Sequence, residues 1–164
     1  MSKTFTFFLI IFLLSCYKEP EPESICYSSS YPPRNNEKVT INQGLWGDVW
    51  FWKGDFMPFN FGTICQVHRK IYIYELTMMT NVVRSKPYSP FYSKINTNLV
   101  TTIESDTSGF FQVELEPGSY SLFVFEDTCF YSNLFDGNGA IFPVKIESGK
   151  VTEVRFDITY DATY

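Results

Sequence analysis

From residue 44 onward, apolar and polar side chains alternate with a period of two, the pattern of strands that bury one face. The first run, 44–52, puts Leu45, Val49 and Phe51 on one side and Trp46, Asp48, Trp50 and Trp52 on the other. A second, 69–76, sets Ile71 and Ile73 against Tyr72 and Tyr74. Five more inward rows follow: Leu99, Thr101, Ile103; Phe111, Val113, Leu115; Tyr120, Leu122, Val124; Phe142, Val144, Ile146; and Val154, Phe156, Ile158, Tyr160. Turn residues separate them. Asp106-Thr107-Ser108-Gly109 offers a glycine for positive φ, Glu116-Pro117-Gly118-Ser119 has the Pro-Gly pair of a type II turn, and Ser148-Gly149 joins the last two rows. No stretch past the leader carries a useful 3.6-residue stripe. Seven short strands with such turns predict an all-β, Greek-key β-sandwich over 44–164.

Three stretches interrupt this rhythm: a Gly/Pro/Phe-rich loop at 53–68, a connection at 77–97 containing Pro87 and Pro90, and a polar excursion at 126–139. The second is longer than most structureless loops in compact domains, so it has room for a short element that the pattern does not resolve.

Upstream the chain changes character. Lys3 precedes the apolar run 5–14, broken only by Thr6. That run is too short for a ~30 Å hydrocarbon core, which takes ~20 apolar residues, and suits the apolar part of a secretory signal. Leu13-Leu14-Ser15-Cys16 resembles a bacterial lipobox, which implies cleavage before Cys16 and acylation of its thiol. Several acyl chains at ~0.8 kcal/mol per buried CH₂ make such an anchor stable. The expected organisation is a signal at 1–15, a flexible Pro/Glu-rich tether at 16–43 and the sandwich at 44–164. Lys18 and Glu19 just after Cys16 resemble the export signals of Bacteroidetes lipoproteins, implying outer-membrane anchoring and display at the cell surface.

Composition agrees with strands. Aromatics make up 19% of the chain, and Ala occurs after the leader only at 140 and 162. The net charge of −5, or −6 once Lys3 is lost with the signal, gives no attraction to nucleic acid or anionic lipid. Membrane contact is therefore expected through the lipid.

With Cys16 acylated, Cys26, Cys65 and Cys129 remain, and three pairings are open. Cys65 and Cys129 both flank expected strands, which favours that pair; closing so long a loop is worth ~4 kcal/mol in the chain-entropy account. No spacing matches a CxxC or zinc motif, and no metal or cofactor is implied.

The stretch 105–111 running into 116–122 (Ser105-Asp106-Thr107-Ser108-Gly109-Phe110-Phe111, then Glu116-Pro117-Gly118-Ser119-Tyr120-Ser121-Leu122) resembles carboxypeptidase regulatory-like domains, which are transthyretin-like Greek-key sandwiches. Gly54-Asp55-Phe56-Met57-Pro58, Tyr131-Ser132-Asn133 and Ala162-Thr163-Tyr164 also resemble Bacteroidetes lipoproteins of unassigned function. The resemblance implies an accessory, non-catalytic module and brings no catalytic residues.

Candidate chemistry is sparse. His68, the single histidine, stands between Val67 and Arg69 at a strand start, a poor basis for a general base. The transthyretin-like purine-pathway hydrolase has several histidines and ends Tyr-Arg-Gly-Ser; this chain ends Asp161-Ala162-Thr163-Tyr164. Asp136-Gly137-Asn138-Gly139, aligned as an EF-hand, puts Leu134 and Lys145 where ligands belong, so a polar turn is expected. The most suggestive feature is the row Trp46, Trp50, Trp52. Exposed, indoles ~7 Å apart along a strand would stack on sugar rings. Covered by loops 53–68 and 77–97, they would form a second small core, the reading favoured because exposed apolar patches are uncommon on monomers. The expectation is a non-catalytic, lipid-anchored interaction module with a protein or glycan partner, and carbohydrate binding through the tryptophans as the alternative.

Overall fold

The structure, a computed structural model, describes residues 24–28 and 30–164. The leader and Cys16 lie outside the described residues. Twelve strands follow in order: β1 (Ile25–Ser28), β2 (Gly44–Asp55), β3 (Thr63–Gln66), β4 (Lys70–Glu75), β5 (Val82–Arg84), β6 (Phe91–Ile95), β7 (Leu99–Glu104), β8 (Phe110–Val113), β9 (Gly118–Glu126), β10 (Cys129–Tyr131), β11 (Pro143–Ile146) and β12 (Val151–Thr163). All seven expected strands are present, as β2, β4, β7, β8, β9, β11 and β12.

They form two sheets. In the first, of five strands, β2 is the hub. Its first half pairs antiparallel with β8 (Trp46 opposite Gln112) and its second half with β3 (Trp52 opposite Ile64). Its other edge takes β12 in parallel along nearly the whole length, Val151 opposite Gly44 and Thr163 opposite Asp55, and β1 extends the sheet beyond β3. The second sheet runs β5-β6-β10-β9-β4-β7, with β11 also on β9.

Most positions read as inward do face inward; Leu99, on the edge strand β7, and Tyr160, near the end of β12, stay exposed instead. Leu45, Val49, Phe111, Phe156 and Ile158 from the first sheet meet Ile71, Ile73, Leu122, Val124, Val144 and Ile146 from the second in one buried cluster. Each fully buried aliphatic or Phe side chain contributes about 1.5–3 kcal/mol, which makes this interface the main source of stability. Gly109 takes φ +80°, and a Cβ there would stand 2.5 Å from the Val49 carbonyl oxygen. Gly118 departs from the expected type II turn: it is not at positive φ but starts β9, opposite Ile146.

The additional strands come from the interruptions. β3 comes from the loop at 53–68, β5 and β6 from the connection at 77–97, and β10 from the polar excursion. Met79, Val82 and Ile95 of that connection pack on Tyr74, Tyr92 and Phe123, a second cluster on the outer face of the second sheet.

The largest correction concerns the tether. β1 pairs with β3, and residues 31–38 lie across the outer face of the first sheet, so this stretch belongs to the sandwich. The disulfide follows from that placement. Cys26 and Cys65 are register partners and are bonded to each other, not Cys65 to Cys129. Cys129 sits on β10 in the opposite sheet as a free, half-buried thiol.

Candidate functional site

The tryptophan row lies on the outer face of β2, as the alternation requires, and it is covered: Trp46, Trp50 and Trp52 are all buried. The cover differs from the one expected. The Arg34 guanidinium stands 5.3 Å above Trp46 and 5.7 Å above Trp50, and that of Arg155 lies 5.2 Å from Trp50 and 5.6 Å from Tyr31. Such cation–π contacts hold polar residues on an aromatic surface without leaving the rings in water. Of the two loops expected as cover, 53–68 contributes Phe56, 5.0 Å from Trp52, whereas 77–97 packs on the other sheet. Trp46 and Trp50 therefore present no open face for a sugar.

Asp48 shares that face and has no exposed surface. Arg34 Nε lies 2.9 Å from its Oδ2, and Asn35 Nδ2 donates to Oδ1 at 2.6 Å. Burial raises the Asp48 pKa, with the Asn35 hydrogen bond and the Arg34 charge acting against it. Arg34 also reaches Glu153 at 2.6 Å, and Lys38 bonds Asp106 and Ser108, each at 2.8 Å, so the segment is fastened at both ends.

Trp52 is the exception in role. Its indole N–H donates to Asp157 at 2.9 Å, and its ring forms the floor of a cleft of about 190 Å³ with Tyr27, Tyr31, Phe56, Phe61 and Ile64. The loop above the cleft is built. Asp55 accepts from the Met57 N–H at 2.8 Å and from Asn60 Nδ2 at 2.6 Å, and the Phe56 N–H donates to Thr163 O at 2.8 Å. Gly62 admits no side chain, because a Cβ would fall on the Phe56 ring. Phe59 takes φ +75° and is 97% exposed; Phe61 is 73%, Tyr164 65% and Tyr31 61% exposed. Tyr164 stacks on Phe56 with centroids 5.8 Å apart. Large apolar groups gathered this way are the feature that marks interaction sites. The sequence singled out Trp52 but not Tyr27, Tyr31, Phe56 or Phe61; the Phe-rich character of 53–68 was the available signal.

The remaining candidates fall elsewhere. His68 is exposed, with Nε2 3.6 Å from Glu104 Oε2. It borders a groove of about 540 Å³ in which Arg69 Nε meets Glu126 at 2.6 Å and Tyr160 donates to Glu126 at 2.9 Å. Burial, then the bond to Glu126, holds the Tyr160 phenol far above its ordinary pKa. This knot joins the ends of β9 and β12 across the two sheets, a long-range pairing that local pattern does not reveal. Asp136 accepts from the Asn138 and Ala140 N–H groups at 2.9 and 2.8 Å, which makes it the closing residue of its own turn. Among the described residues no three acidic, histidine or cysteine side chains converge as a metal would require, and no helix is long and apolar enough to cross a membrane.

The fold defines an all-β sandwich, and comparison adds no relative to it: no family model, no curated protein and no solved structure matches the chain.

Proposed function

We propose that this chain is a non-catalytic interaction module, anchored at the bacterial outer membrane through acylated Cys16, whose working surface is the aromatic patch around Trp52. One observation carries the reading: Phe59 and Phe61, on a loop braced by Asp55, stay open to solvent together with Tyr31 and Tyr164 around a cleft floored by a buried indole. Burying such groups against a partner is worth on the order of 25 cal/mol per Å². The carbohydrate alternative loses Trp46 and Trp50 to the Arg34 and Arg155 cover, so a protein surface is the partner we put forward.

The anchor reading acquires a dimension. Nine residue steps separate Cys16 from Ile25, the first residue of β1, and they span at most ~32 Å. A domain so held works close to the bilayer. The transthyretin-like resemblance stays part of this proposal, supported at the level of an all-β sandwich. No cofactor enters it, and the acidic charge gives no reason for nucleic acid to bind.

In-cell photo-crosslinking tests the reading. A photoreactive residue at position 61 is expected to give protein adducts, while one at the exposed Lys145 on β11 gives none; adducts from 145 alone would contradict it. Alkyne-palmitate labelling that disappears in Cys16→Ser tests the anchor, and labelling that persists would overturn it.

A further inference from the structure

We infer that the aromatic patch pairs two copies of this chain, with Phe59 of each copy seated in the cleft of the other. This rests on the reading of that patch as the interaction surface and names its occupant.

The size of the cleft narrows the choice. At about 190 Å³ it lies below the ~300–1,000 Å³ of ordinary small-molecule sites and suits one aromatic side chain. Its polar inventory narrows it further. The Trp52 N–H is committed to Asp157 and the Asn60 amide donates to Asp55, which leaves the Tyr27, Ser30 and Tyr31 hydroxyls as the polar groups of a lining otherwise made of Trp52, Phe56, Phe61 and Ile64, a surface that favours an apolar ring. An uncharged ring loses nothing by entering.

Such a ring stands beside the cleft. Phe59 is 97% exposed at φ +75°, held out by the same Asp55 bonds that shape the loop. It cannot be said to fill its own cleft, whose wall is formed by Phe61 and Phe56 instead. A projecting group and a matching recess on one patch form a self-complementary surface, the condition for a closed two-fold pair. A braced loop also loses little freedom on association.

The area is sufficient. At roughly 200 Å² for a full aromatic side chain, Phe59, Phe61, Tyr31, Tyr164 and the partly open Met57 leave on the order of 700 Å² per copy. Complete cover of the patch on two copies would bury about 1,400 Å², inside the ~1,200–2,000 Å² of stable interfaces.

Sedimentation of the full chain in detergent, compared with Phe59→Asp, tests the pairing. The wild type is expected to run as a dimer. Losing both Phe59 anchors should weaken association ~100-fold or more, tenfold for each, with the circular dichroism spectrum unchanged because the side chain is exposed. In cells, two differently tagged copies, one Phe59→Cys and the other Tyr31→Cys, should form a disulfide-linked dimer carrying both tags. A monomeric wild type with no mixed-tag dimer overturns the inference. A monomer that crosslinks from position 61 to a different protein also overturns it, yet leaves the interaction module standing. Crosslinks from 61 to lipid alone would sink both.

Discussion

Arg34 Nε lies 2.9 Å from Asp48 Oδ2 while the same guanidinium covers Trp46 and Trp50, so one side chain both neutralises a buried carboxylate and roofs two indoles. Removing it in Arg34→Ala leaves the buried Asp48 carboxylate with Asn35 as its remaining side-chain partner. Breaking a buried pair costs ~3–5 kcal/mol, and partial exposure of Arg34 reduces that here to about 2–3 kcal/mol. Urea denaturation measures it; a loss under ~0.5 kcal/mol would mean the segment 31–38 does not hold the face.

The disulfide Cys26–Cys65 spans 39 residues and ties β1 to β3. In the chain-entropy account a loop of that length is worth about 4 kcal/mol. Cys26→Ala is expected to lower the melting temperature as much as reduction does, with Cys129→Ser neutral. Under non-reducing conditions, alkylation and mass spectrometry should label Cys129 and spare Cys26 and Cys65. A labelled Cys26 beside a protected Cys129 would restore the pairing that the sequence favoured.

Two aspartates give pH effects of opposite sign. At Asp106, partial burial pushes the pKa up, but bonds from Lys38, Ser108 and the Phe110 N–H bring it below its ordinary 3.8. The unfolded chain then binds the extra proton, so this stability is present above pH 3.8 and lost as pH falls through the lower folded value. Asp48 is raised above 3.8 by burial, so its folded form holds the proton longer and stability falls as pH rises through the window above 3.8. Melting temperatures from pH 2 to 7 separate the two. The deficit of Asp106→Asn relative to wild type should shrink on acidification, and that of Asp48→Asn should shrink as pH rises past 3.8.

Gly109 ends the turn between β7 and β8 at φ +80°, where a Cβ would meet the Val49 carbonyl oxygen at 2.5 Å. Left-handed backbone alone costs a non-glycine residue ~1–2 kcal/mol, and the oxygen that would be displaced accepts the Val67 N–H at 3.3 Å. Gly109→Ala is expected to lose about 2–4 kcal/mol by chemical denaturation. Gly139→Ala, at φ +86° with open space around it, should lose only the backbone part.

What was legible in the chain followed burial on one face. β12 alternates around Phe156 and Ile158 because one side meets the core, and the inward rows Ile71, Ile73 and Leu122, Val124 are readable even though Tyr74 and Phe123 are buried on the other face of their sheet. β3 carries Ile64, Cys65 and Gln66 all buried, being covered on both faces, so it shows no alternation and its sequence resembles a loop. β1 is only four residues long, and the 31–38 segment is mostly polar and carries Pro32 and Pro33. They fold through the Cys26–Cys65 bond and through Arg34 reaching Asp48 and Glu153, contacts over long sequence separations that no local pattern reports. The same holds for the cleft. Trp52 was visible as part of a row, while Tyr31 joins it only because the supposed tether comes back across the sheet.

The claim that the patch around Trp52 is the working surface is tested most directly by hydroxyl-radical footprinting of the chain in intact cells against dilute purified protein. Met57, Phe59 and Phe61 are expected to be oxidised several-fold less in cells, while the equally exposed Tyr88, between β5 and β6, is modified alike in both. Equal oxidation of Phe59 and Phe61 in the two samples would contradict the account.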